Sequence, residues 1–357
     1  MLNTAFFVYT SFSFYFMNKE RRPIFQPNEL SNDAVVSMRT RIITAIIAIS
    51  IVLPLVIFGD WPFFVLISVA LIFGVIEIVR CAKRKYSRVL YIVSLLLAFL
   101  VLIWSIVREI PGMDSSWRIF NGYETIYISA TILFIGICLS ALTIIIDKNF
   151  TIIDACFIFT TVIIIALGLE SALFIRYFPV CVHHSALDKA GQTVPYINLY
   201  DNCTSFFFLL YMGLGACLND AFAYFVGVFF GRNKMNERIS PKKTWEGFFG
   251  GVILTSITLS GYAFIFAVCK NPLLPGLLDI EHWYHIVILS TLIPLVSTLG
   301  DMVFSSIKRH YQIKDFSNLI PGHGGILDRL DSLLFAAITM AIYTSIFFDA
   351  TGGISLP

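Results

Sequence analysis

Along the chain, apolar residues gather into long runs separated by short polar segments. The runs at 42–59, 61–79, 89–107, 125–146, 151–175, 204–230, 246–270, 284–304 and 333–349 each approach or exceed the length of a helix crossing the hydrocarbon core. About nine transmembrane helices are therefore expected, the last run being the shortest. Between the first two runs lie only Gly59, Asp60, Trp61 and Pro62, a turn suited to a tight helical hairpin. The aromatic stretch from Ala5 to Phe16 is too short to span and lacks a preceding basic region, so it is read as an interfacial extension. No 20–50-residue repeat and no appended polar domain breaks the pattern. The fold class is an all-α polytopic membrane protein with its N-terminus in the cytoplasm.

Composition supports the bilayer as solvent: of 357 residues, 57% are hydrophobic and 13% charged, about half the charged share of a soluble domain. Orientation follows from the basic residues. With the N-terminus inside, 20 of the 25 Lys and Arg fall on the inner side, and Arg108, Arg118, Arg176, Lys189 and Lys270 are left outside or at the outer edge. The outer segments 108–124 and 176–203 read as structural loops. Within the second, Cys181 and Cys203 are the one cysteine pair whose placement would suit a disulfide. His183 and His184 are adjacent, so their side chains diverge and do not suggest a metal site.

Three polar clusters stand out, all on the predicted cytoplasmic side. Asn219 and Asp220 lie within an apolar run, where a carboxylate needs a partner or a water-filled site. Ser240-Pro241-Lys242-Lys243-Thr244-Trp245-Glu246-Gly247 places two lysines and two hydroxyls at the start of a helix, a combination suited to a phosphate. The third and richest runs from Gly300 to Asp331. Asp301 closes one helix, and Asp328 and Asp331, three residues apart, share a face at the start of the next. Converging carboxylates repel one another unless a cation lies between them, and oxygen-only ligands point to Mg²⁺ or a similar hard ion at Asp301, Asp328 and Asp331. Between them, Pro321-Gly322-His323-Gly324-Gly325 forms a loop whose amides at Gly322, Gly324 and Gly325 could approach an anion. Lys308, Arg309, Lys314 and Arg329 surround it with positive charge. His323 reads as a phosphate contact or a general acid. Carboxylates, a glycine-rich loop and cations together are equipment for phosphoryl or nucleotidyl transfer.

The run Ser305-x-Ile307-Lys308-Arg309-x4-Lys314-Asp315-x-Ser317-x2-Ile320-Pro321-x-His323-Gly324-Gly325-Ile326-x-Asp328-Arg329-Leu330-Asp331 resembles the signature of the phosphatidate cytidylyltransferase (CDP-diacylglycerol synthase) family. Ser240 to Gly247 resembles the family's second inner-loop motif, and Asp220 to Gly227 the helix before it. The similarity covers about 215–335; the N-terminal extension and the large outer loop depart from it. The resulting division is an extension at 1–41, N-terminal transmembrane helices at 42–200 and a catalytic transmembrane region at 201–357.

The resemblance implies that CTP and phosphatidate react in a Mg²⁺-dependent step, with K⁺ as a second ion, to give CDP-diacylglycerol and pyrophosphate. Asp301 and Asp328 would hold the metal pair with Asp331 in support. Lys242 and Lys243 would neutralise the triphosphate, while Asn219, Asp220, Ser240, Thr244, Lys308, Arg309, Lys314 and Arg329 would bind substrate. It also implies a homodimer and no nucleic-acid partner. The membrane would be a bacterial plasma membrane or, alternatively, an organelle membrane such as the endoplasmic reticulum. A related lipid nucleotidyltransferase acting on another lipid is the neighbouring reading. A transporter would instead place charge at the bilayer midplane within inverted repeats.

Overall fold

The computed structural model describes residues 32–82, 86–109, 134–139, 141, 143–146, 150–189, 199–236 and 238–350, with side chains placed from residue 40 to residue 347 except at 104–109, 179–189 and 199–202. The predicted interfacial stretch and the outer segment 110–124 lie outside the described positions, as does the side chain of Cys181 and with it the proposed pairing to Cys203.

Helices dominate. They are α1 (Asn32–Phe58), α2 (Asp60–Cys81), α3 (Arg88–Glu109), α4 (Phe134–Ile146), α5 (Ile152–Lys189), α6 (Leu199–Phe230), α7 (Trp245–Val268), α8 (Trp283–His310) and α9 (Leu327–Ala350). Among the described residues, seven helices are long and apolar enough to cross a membrane. The predicted runs at 89–107 and 125–146 correspond to shorter apolar stretches, Arg88–Ile103 and Phe134–Ile146. Of these two, Arg88–Ile103 belongs to α3, which packs on α2 and α5. Glu77 near the end of α2 bonds to the start of α9. Phe157, early in α5, packs its ring 5.1 Å from that of Tyr311, just after α8. The end of α2 and the start of α5 therefore lie at one end of the bundle.

Local chemistry sets the boundaries. Gly59, at φ 68°, takes the turn between α1 and α2, and Pro62 falls in the first turn of α2, where no intrahelical N–H is required. Thr151 and Asp154 bond reciprocally at the start of α5, a capping arrangement that satisfies two of the helix's free donors. Thr244 caps α7 by accepting from the Gly247 N–H at 3.2 Å. The predicted inner loop between α6 and α7 is a short antiparallel hairpin, β1 (Lys234–Asn236) with β2 (Ser240–Thr244). Glu246 accepts from the Arg232 and Asn233 amides and fixes this hairpin on the helix end.

Packing is closest where small residues meet. A Cβ on Gly247 would stand 2.7 Å from the Ala223 carbonyl, and one on Gly251 2.8 Å from the Ala223 Cβ, so α6 and α7 touch along a small-residue seam. A Cβ on Gly168 would lie 3.0 Å from the Cα of Leu334, locking α5 against α9. Arg176, expected at the outer edge, is 1% exposed within α5. Its guanidinium donates to the Val56 and Ile57 carbonyls at the end of α1. By contrast, no residue of α1 between Thr40 and Phe58 is buried in the protein. This helix is a strut attached near its two ends.

Gly168→Val should destabilise the protein by about 1–3 kcal/mol, because α9 cannot retreat without moving the groups at its start. Thermal unfolding in mixed micelles would read the shift.

Candidate active site

The polar groups meet at the end of the bundle where α6, α8, α9, the hairpin and the end of α2 come together. The base of the site is the start of α9. The first amides of a helix have no intrahelical acceptors, and where they are buried the protein must supply partners for them. Here two carboxylates take them. Asp328 Oδ2 accepts from the Gly325 N–H at 2.9 Å and from the Phe316 N–H at 2.8 Å. Glu77, from α2, accepts from the Ile326 N–H at Oε1 and the Leu327 N–H at Oε2, each at 2.9 Å, and from the Ser317 hydroxyl at 2.6 Å.

The loop glycines fit this arrangement. Gly324 has φ 84°, and its Cβ would stand 3.0 Å from Asp328 Oδ2. A Cβ on Gly325 would stand 2.5 and 2.7 Å from the two Glu77 oxygens. The His323 and Gly324 amides both turn back to the Ile320 carbonyl. Of the glycine amides offered to a phosphate, those of Gly324 and Gly325 are thus engaged within the protein. His323 itself bonds through Nδ1 to the Thr44 hydroxyl at 2.9 Å, tying the loop to α1.

Four carboxylates face the site. Gly300 brings α8 onto α9, since a Cβ there would meet the Asp331 carbonyl at 2.7 Å, and this sets Asp301 beside Asp331. Asp220 on α6 is exposed and accepts from the Ser332 hydroxyl, which also reaches Asp331 Oδ1. Asp220, Asp301 and Asp331 are within electrostatic range of one another. Two lysines enter this group. Lys243 pairs with Asp301. Lys308 lies 2.8 Å from Asp328 Oδ1 and 3.9 Å from Asp331 Oδ2, with its side chain only 12% exposed.

The remaining predicted residues divide between this cluster and its rim. Lys242 and Lys243 are consecutive on β2 and point to opposite faces, so Lys243 enters the cluster while Lys242 is exposed. Thr244 is buried as a helix cap, and Ser240 pairs with Asn236 across the hairpin. Asn219 is 1% exposed and donates to the Thr298 hydroxyl at 2.8 Å, joining α6 to α8 rather than facing the cluster. Arg309 donates to the Ile239 carbonyl and anchors the hairpin, and Lys314, Gly322 and Arg329 are exposed at the rim. Glu77 was absent from the sequence reading. A lone carboxylate inside a predicted span is the signal that could have found it, as it did for Asp220.

Among the described residues, no three His, Cys, Asp or Glu side chains stand close enough to hold a metal ion as they are. The donors are nevertheless of the kind a hard divalent cation takes, all carboxylate oxygens, and the two contacting lysines leave four carboxylates only partly balanced.

Lys308→Met should cost about 3–5 kcal/mol of stability, because it strands the buried Asp328 charge. Adding Asp328→Asn should restore part of that loss, which denaturation of the single and double variants would show.

Comparison with known proteins accords with this geometry. Residues 39–347 match the cytidylyltransferase family. The chain is 30% identical over 301 residues to a phosphatidate cytidylyltransferase of Bacillus subtilis, covering 84% of this chain and 95% of that one. It is 31% identical over 309 residues to the Haemophilus influenzae protein of the same name, covering 84% and 96%. A human phosphatidate cytidylyltransferase 2 is 30% identical over 268 residues, covering 64% of this chain and 54% of the human one. The chain is an integral membrane protein that belongs to the cytidylyltransferase family.

Proposed function

We propose that this protein transfers the cytidylyl group of CTP to phosphatidate, giving CDP-diacylglycerol and pyrophosphate for phospholipid synthesis. The observation that carries this reading is the meeting of Asp220, Asp301, Asp328 and Asp331 with Lys243 and Lys308 at one end of the bundle. It occurs in a chain that aligns along most of its length with proteins named for that reaction. At that end, a water-soluble nucleotide and a lipid headgroup arriving from the leaflet can meet.

In the transfer, a phosphate oxygen of phosphatidate attacks the α-phosphorus of CTP. The bond from that phosphorus to the bridging oxygen breaks, and pyrophosphate leaves with the electron pair. Little covalent chemistry is asked of the protein, since positioning and charge carry the rate. Lys243, held by Asp301 before substrate arrives, offers its ammonium to the triphosphate. Lys242 reaches the nucleotide from the other face of β2. Lys314 and Arg329, exposed at the rim, meet the lipid phosphate or the nucleotide. Lys308 restrains Asp328 and Asp331 at the spacing α9 gives them.

Asp301, Asp328 and Asp331 would hold Mg²⁺, with K⁺ as a second ion on the family resemblance. Bound there, the divalent ion supplies neutralisation of the charge that develops on the phosphates. The reading places the site on the cytoplasmic face of a bacterial plasma membrane. The excess of Lys and Arg at this end supports that side, and the bacterial relatives support that membrane. The family resemblance further suggests a homodimer, testable from the mass of the solubilised protein.

Purified protein incubated with phosphatidate, CTP labelled at the α-phosphate and Mg²⁺ should form a lipid-soluble labelled product that requires both substrates. No product from the wild type would overturn the reading. Asp301→Asn should lower kcat about 10²–10³-fold, the scale of losing a main electrostatic group, and a chelator should abolish turnover. Lys243→Ala should lower kcat far more than Lys242→Ala, whose effect should fall mainly on KM for CTP.

A further inference from the structure

We propose that Glu77, a carboxylate from the second helix and far in sequence from the polar stretch Gly300–Asp331, is a positioning residue for the transfer. It fixes the start of α9 and, through it, Asp328 and Asp331. The inference rests on the cytidylyl-transfer reading above.

Glu77 is 4% exposed and lies in a span, where a carboxylate is costly unless fully met. It is met by three donors from a different part of the chain: the Ser317 hydroxyl and the Ile326 and Leu327 amides. Each carboxylate oxygen takes one of the two amides at the start of α9, a bidentate arrangement that sets both the position and the rotation of the helix end. Rotation matters because Asp328 follows Leu327 directly, and Asp331 stands on the same face one turn later. Gly325 carries no side chain where Glu77 sits, so the loop closes onto the carboxylate without space between them. On the other side of the loop, Asp328 takes the Gly325 and Phe316 amides. The two carboxylates thus grip successive amides of one strand of backbone from different helices. Glu77 contacts none of the lysines of the cluster, so its charge serves the loop rather than the substrates.

Glu77→Gln keeps the volume but turns one acceptor into a donor facing an amide donor. It should lower kcat per folded enzyme about 100-fold, the scale of a displacement near 1 Å, with KM for CTP changing less than about threefold. Independently of activity, hydrogen exchange at amides 325–327 should quicken while exchange across α5 stays as in the wild type. Ser317→Ala, which removes one donor and keeps the carboxylate, should show the same two changes at smaller size. Glu77→Asp should recover part of kcat.

A Glu77→Gln enzyme with wild-type kcat would overturn the inference. So would a variant whose yield of folded protein drops while kcat per folded enzyme and exchange at 325–327 stay unchanged, since that is a structural role alone. If Glu77→Gln does not fold, a Ser317→Ala variant with unaltered kcat and exchange overturns it equally. An inactive wild type would instead strike the proposed reaction, while an active wild type with an indifferent Glu77→Gln strikes this inference only.

Discussion

The start of α9 poses a problem that the rest of this end of the molecule is arranged to solve. Helix amides left without acceptors must be satisfied, and those at the start of α9 are turned into the protein, which must supply the partners itself. Serine or aspartate at the cap would meet one or two of them locally. Here the solution is distributed: Asp328 folds back over its own helix, and Glu77 is brought in from α2. Each carboxylate then needs its own neutral surroundings, and the chain supplies Lys308 to one and Ser317 with two amides to the other. The glycines of the loop follow from the same need, because two carboxylates occupy the space their side chains would fill. A loop that looks built for an anion from outside is, from 323 to 327, built around anions of the protein itself.

The second constraint is the density of negative charge. Asp220, Asp301 and Asp331 come from three helices held close by Gly300, by the Asn219–Thr298 bond and by the Ser332 hydroxyl. Such a group is repulsive unless cations enter, and the hairpin between α6 and α7 delivers one. Strand geometry points Lys243 inward and Lys242 outward, while Thr244, Glu246 and Arg309 hold the hairpin to the helix ends. Residues that look interchangeable in sequence thus take separate tasks, set by a period of two.

Most of the architecture was legible because apolar runs of spanning length admit few structures in a bilayer, and helix is the one that satisfies its own backbone. The carboxylates of the site were legible for the same reason: charge against an apolar background is conspicuous. What stayed hidden depended on pairing across long separations. Glu77 meets residues some 240–250 positions away, and nothing near it in sequence signals the loop it holds. The hairpin was hidden because strands of three and five residues between two long helices are too short to show a pattern. Arg176 was read as an outer-edge charge because basic residues usually mark aqueous loops; it lies at the end of α1 away from the site, but buried, donating to the Val56 and Ile57 carbonyls.

On the proposed reaction, the two lysines have a double part that explains why the cluster is so acidic. In the protein alone, Lys243 and Lys308 hold apart carboxylates that could not otherwise be gathered. A nucleotide triphosphate is more negative than any one aspartate, so its arrival competes for Lys243. On that reading, the Asp301 carboxylate so released would be able to hold a divalent ion. Lys308 is held more firmly, because it lies between Asp328 and Asp331, while the two backbone amides fix Asp328 through its other oxygen and leave Oδ1 to face the lysine or an ion. One lysine can therefore move between partners while the other keeps the frame, and the difference lies in what else each aspartate holds.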